Sequence, residues 1–85
     1  MSNELEIYKK KLLYRASYRG TKEMDILLSS FVKKYINIFN LDQLGELERF
    51  LSLEDEIILN FYNYNISDKN IEENNISEIF KNFRI

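Results

Sequence analysis

The chain contains no cysteine, no histidine and no proline, and only two of its 85 residues are glycine. Without cysteine, neither disulfides nor thiolate metal sites can staple it. Without histidine, the usual general base, metal ligand and physiological pH switch are missing. Serine and threonine are present but have no histidine to activate them, so a hydrolase triad is absent. Two glycines do not make a phosphate-cradling loop, and the carboxylates around Asp42, Glu46 and Glu48 lack the spacing of a calcium loop. These absences point away from an enzyme. No stretch approaches the ~20 apolar residues of a membrane span. Met1–Glu6 is acidic and lacks a long apolar run, unlike a signal peptide. The expectation is therefore a soluble, cytoplasmic protein. The lack of proline, beside heavy use of Ile, Asn and Lys, suggests an AT-rich genome.

What is present suits one small domain over residues 1–85. A chain this short buries only about 60–65% of its unfolded surface. It must hold together by packing, and 45% hydrophobic residues with twelve aromatics provide the material. Net charge is −2 but unevenly placed. Residues 1–40 carry eight basic and four acidic residues (+4), whereas 41–85 carry four and ten (−6). The basic half suits an acidic protein surface, a nucleotide or a nucleic acid. Solvated helix faces account for it as well.

Periodicity predicts an all-α fold, a compact bundle of four to five short helices. A first helix spans Asn3 to Tyr18, capped by Ser2 or Asn3. Leu5, Tyr8, Leu12 and Ala16 form one stripe, and Ile7, Tyr14 and Tyr18 its neighbour. A second, central helix carries Met24, Leu27, Leu28, Phe31, Val32, Tyr35, Ile36 and Phe39 at i, i+3, i+4, i+7 spacing. Asn40 with Gln43 has capping-box spacing and opens a third helix, with Leu44, Leu47, Phe50 and Leu51 facing inward. Gly45 within it costs about 1 kcal/mol relative to Ala, and close packing against a neighbour is the reading that explains it. Ser52 is the expected cap of a fourth helix, with Ile57, Ile58, Phe61 and Tyr62 as its buried stripe. Asn65–Lys69 reads as a loop. A last helix lies around Ile71–Phe83, starting later if Asn75 and Glu78 cap it.

The break between the first two helices, Arg19-Gly20-Thr21-Lys22-Glu23-Met24-Asp25, carries the most exposed charge. If the chain stays near-helical there, Arg19 and Glu23 stand four apart on one face with a bare glycine beside them. That makes a flat patch flanked by a five-donor cation and a carboxylate, suited to docking. The plainer reading is that Gly20 ends one helix, Thr21 caps the next, and Glu23 and Asp25 favour its dipole.

Arg-Gly-x-x-Glu after a basic, Tyr-containing helix (Tyr14-Arg15), followed by Met24-Asp25, Leu27-Leu28 and Phe31-Val32, resembles the SdhE-type flavinylation factors. These are bacterial relatives of succinate dehydrogenase assembly factor 2. The resemblance covers about residues 5–64, through Leu51 and Asp55. The family often has Pro where this chain has Glu56 and Trp where it has Phe61. The resemblance implies an assembly factor or chaperone rather than an enzyme. Its partner would be the flavoprotein subunit of succinate dehydrogenase or fumarate reductase, on which it promotes covalent attachment of FAD to a histidine. FAD would belong to that client and not be stably bound here. The partner-binding residues that the resemblance implies are Arg19, Gly20 and Glu23, and Arg15 and Asp25 beside the motif are expected on the same partner surface. The protein is expected to be a monomer. The second reading is a small regulatory module, antitoxin-like or nucleic-acid-binding; the acidic net charge and lack of a basic recognition helix argue against nucleic acid.

Overall fold

Thr21 and Asn40 punctuate the front of the chain, because each places a side-chain oxygen where a helix leaves an N–H without a partner. In the computed structural model, which describes residues 3–85, Thr21 Oγ1 accepts from Met24 N at 3.3 Å. Asn40 and Gln43 exchange both bonds of the capping box, at 2.8 and 2.9 Å. Five helices follow among the described residues: α1 (Asn3–Ser17), α2 (Lys22–Tyr35), α3 (Leu41–Leu51), α4 (Asp55–Tyr64) and α5 (Asn75–Asn82). The all-α expectation holds. The predicted cap of α1 at Ser2 or Asn3 lies outside the residues whose side chains are described.

Several boundaries differ from the sequence expectation, each for a local reason. α2 ends at Tyr35 although the apolar pattern runs on to Phe39. Asn40 needs an extended backbone to cap α3 (φ −79°, ψ 177°), so the chain must unwind before it. A turn over residues 36–38 still returns Ile36 and Phe39 to the core. Ser52 does not cap α4. Its backbone is helical and its hydroxyl donates back to Glu48 O at 3.0 Å, so it closes α3. Glu54, with an extended backbone, is the residue that precedes α4. α5 begins late, and Asn74 rather than Asn75 caps it, exchanging bonds with Ser77. Gly45 meets no neighbouring helix; a Cβ there would find only Arg49 of its own helix, at 3.8 Å.

The core is aromatic at its centre. Phe31 of α2 and Phe80 of α5 are fully buried and meet edge to face at 5.0 Å. Phe50 of α3 and Tyr62 of α4 close on Phe80 at 5.0 and 5.1 Å. Tyr62 also donates to Phe83 O at 2.8 Å. The short last helix is thus wedged among α2, α3 and α4, and the single buried cluster runs from Leu12 to Phe83.

α1 packs on α2 and α3 through one side only. Leu12 and Ala16 are buried, but Ile7, Tyr14 and Tyr18 are exposed, contrary to the second apolar stripe read from the sequence. Tyr8 ties α1 to α3, donating to Glu48 Oε1 at 2.6 Å. Burial first, then that bond and the Glu48 charge, push its phenol up to about 12.

Candidate functional site

Between α1 and α2 the backbone is not helical. Gly20 takes φ +150°, a conformation that side-chain-bearing residues rarely adopt. The kink turns Arg19 inward and parts it from Glu23, so the expected pairing of the two on one helical face does not form. Arg19 has a side chain only 10% exposed. Its Nε donates to Asp55 Oδ1 at 2.8 Å, Nη1 to Leu51 O at 2.6 Å and Nη2 to Leu53 O at 2.8 Å.

This arrangement explains why the position suits arginine. The planar fork reaches three acceptors in three directions, which a lysine ammonium on a single stem does not match. Leu51 O belongs to the last turn of α3, where carbonyls lack helical partners and the dipole favours a cation. Asp55 opens α4, where the dipole favours an anion. One guanidinium therefore fastens the α1–α2 turn to the α3–α4 turn. Asp25 reinforces the same corner, its carboxylate accepting the Arg19 backbone N–H.

The remaining motif residues face outward. Gly20, Thr21, Lys22 and Glu23 are all exposed. A Cβ on Gly20 would sit 3.6 Å from Asp55 Oδ2, an ordinary contact, so the glycine is required by its backbone angle rather than by lack of room. Among the described residues no hydrogen bond or ion pair engages the Glu23 side chain. Arg15 sits one step away, donating to Ser52 Oγ at 2.9 Å and lying 3.7 Å from Glu48 Oε2. Of the five residues singled out in the sequence, Arg19, Gly20 and Asp25 form one corner, Glu23 stands on its rim, and Arg15 is held against α3. Asp55 is the member that sequence reasoning did not place. The resemblance runs through it without giving it a role, and nothing local links it to Arg19, 36 positions away.

The corner presents an exposed ridge, and neither a nucleophile–base pair nor a cluster of metal-ligating groups occurs in it among the described residues. A surface cavity of about 450 Å³ beside α5 is lined by Asp68, Glu73 and Glu78 against Lys81, an acidic balance.

A family model described as flavinator of succinate dehydrogenase matches residues 10–84, running through α5. Among curated proteins, succinate dehydrogenase assembly factor 2-B of Drosophila willistoni is 44% identical over 48 residues, 56% of this chain and 31% of that protein. Assembly factor 2 of Scheffersomyces stipitis is 43% identical over 51 residues, 60% of this chain and 34% of its own length. Assembly factor 2-B of Drosophila melanogaster is 42% identical over 48 residues, again 56% and 31%. The match thus spans about a third of the length of these relatives. No solved structure matches the chain. All three relatives are named as mitochondrial, which overturns the expectation of a cytoplasmic protein. That expectation rested on the lack of a hydrophobic leader and of a membrane span. No helix among the described residues is long and apolar enough to cross a membrane, which does not distinguish one compartment from another.

Proposed function

The chain belongs to the family of succinate dehydrogenase flavinators, and from that premise we propose that it binds the flavoprotein subunit and promotes covalent attachment of FAD to it. The family's curated members are named assembly factors, not catalysts. The observation that carries the reading is the division of labour within the motif. Arg19 is spent internally on Asp55, Leu51 O and Leu53 O, and this holds Gly20 to Glu23 outward as a preformed ridge.

A preformed ridge loses little conformational freedom on docking, so more of the contact energy remains to favour one state of the partner. The helper acts by binding more tightly to the client conformation in which flavin and its attachment residue are aligned. FAD stays with the client throughout, and the chemistry is the client's. Fumarate reductase flavoprotein, where present, is a second client of the same kind.

Co-expression with the succinate dehydrogenase flavoprotein tests this reading. Covalent flavin is read as in-gel fluorescence of the denatured flavoprotein. The signal rises when the chain is present and falls to background when it is absent. Equal fluorescence in both cases contradicts the proposal.

A further inference from the structure

Beside the ridge, between α2 and α4, lies an apolar groove of about 260 Å³ with Glu23 at its edge. Ile26 from α2, Leu59 and Tyr62 from α4, and Ile85 form its walls. Ile26 is 46% exposed and Ile85 76% exposed, a concentration of apolar surface that a solvated face does not need. The volume falls short of the 300–1,000 Å³ typical of small-molecule and cofactor sites, and suits one or two side chains instead.

Charge decides what kind of side chain. Glu23 forms no ion pair among the described residues, the adjoining Lys22 included. α4, which supplies one wall, carries no basic residue; its Asp55 is already paired with Arg19, its Glu56 is exposed, and the guanidinium against this wall, that of Arg84, lies 5.2 Å over the Tyr62 ring. An apolar floor with an unneutralised carboxylate at its rim matches a segment that offers an aliphatic or aromatic side chain next to a lysine or arginine. The groove is also continuous with the proposed docking ridge, since Glu23 belongs to both.

We infer that this groove is a second contact for the flavoprotein client, receiving an apolar side chain whose basic neighbour pairs with Glu23. The inference rests on the proposed function and adds the chemistry of the client segment. Glu23 then has a dual position, at the end of the ridge and at the mouth of the groove. A second copy of this chain is the competing occupant, because α1 exposes Ile7, Tyr14 and Tyr18 among lysines. That pairing joins two different surfaces, so it either closes reciprocally into a dimer or ring or propagates, and it shows as self-association in each case.

The test immobilises the succinate dehydrogenase flavoprotein and titrates the chain at low and high salt. Ile26→Asp weakens binding about tenfold or more, as loss of a central anchor does. Glu23→Lys weakens it comparably and reduces the salt dependence. Ile38→Ser, at a 72% exposed position in the α2–α3 turn, leaves binding unchanged. Circular dichroism melts establish that each variant is folded, and Ile85→Asp replaces Ile26→Asp if the latter is not. Wild-type binding that all groove variants retain overturns the groove while leaving the proposed function standing. Absence of wild-type binding overturns both. Concentration-dependent self-association in sedimentation, abolished by Ile26→Asp while client binding persists, assigns the groove to a second copy and overturns the inference.

Discussion

Arg19 and Asp55 stand 36 residues apart in sequence and meet at 2.8 Å, Nε to Oδ1, joining the turn before α2 to the start of α4. The pair is asymmetric in exposure, with the arginine side chain at 10% and the aspartate at 31%. Arg19 serves three acceptors and Asp55 accepts only one of its bonds, so removing the arginine breaks the whole brace. Arg19→Ala leaves Leu51 O and Leu53 O without their donors and Asp55 without its cation. We expect a loss of about 2–4 kcal/mol by urea denaturation, with Arg19→Lys falling in between. A loss below about 0.5 kcal/mol in the alanine variant contradicts the brace.

Gly20 gives a second prediction. Any side chain at φ +150° is strained, by about 1–3 kcal/mol. Gly20→Ala lowers the thermal midpoint although its Cβ meets nothing closer than 3.6 Å. Gly20→Arg carries the same strain, so a loss of flavinylation in that variant bears on docking only after correction for the folded fraction. An unchanged midpoint in Gly20→Ala contradicts the backbone argument.

The last helix is expected to be indispensable. Phe80→Ala removes a fully buried ring touched by Phe31, Phe50 and Tyr62, at about 3–5 kcal/mol. Phe31→Ala carries a comparable cost. Either change consumes much of the 5–15 kcal/mol typical of a small domain. A Phe80→Ala chain with wild-type unfolding midpoint contradicts the central place of α5.

Tyr8 predicts an alkaline dependence of stability. Its phenol titrates at about 12 in the fold against 10.0 when unfolded. The unfolded state thus releases its proton first, and unfolding gains as pH rises through this window. The contribution is complete below pH 10 and lost as pH climbs to about 12. Denaturation midpoints of wild type and Tyr8→Phe, followed across that range, differ most at its lower end. A constant difference contradicts the assignment.

Much of the fold was legible because α2, α3 and α4 carry strong 3.6-residue patterns, and because Asn40–Gln43 is a local signal with a local cause. The errors arose where two local signals competed. Ser52 has the composition of an N-cap, but its helical backbone belongs to the preceding helix. Ile36 and Phe39 keep the apolar spacing of α2 while lying beyond its end, since a turn also returns them to the core. The exposed Ile7, Tyr14 and Tyr18 could not be told from core residues, because periodicity does not say whether a partner helix exists to cover a stripe. At the site, the motif itself was visible but its internal division was not. Arg19 turns inward because Gly20 leaves helical geometry, as the plainer reading of the break had it, and because Asp55 waits across the fold, which nothing near the motif encodes.

The central claim is that the exposed end of the motif acts on a partner while Arg19 holds it in place. Glu23→Ala separates the two roles, since Glu23 is exposed and engages nothing within the described chain. The decisive measurement is covalent flavin fluorescence of the denatured flavoprotein after co-expression with wild type or Glu23→Ala, with circular dichroism melts of both chains. The account predicts an unchanged melt and a loss of most of the covalent flavin. Full flavinylation by a folded Glu23→Ala chain contradicts it.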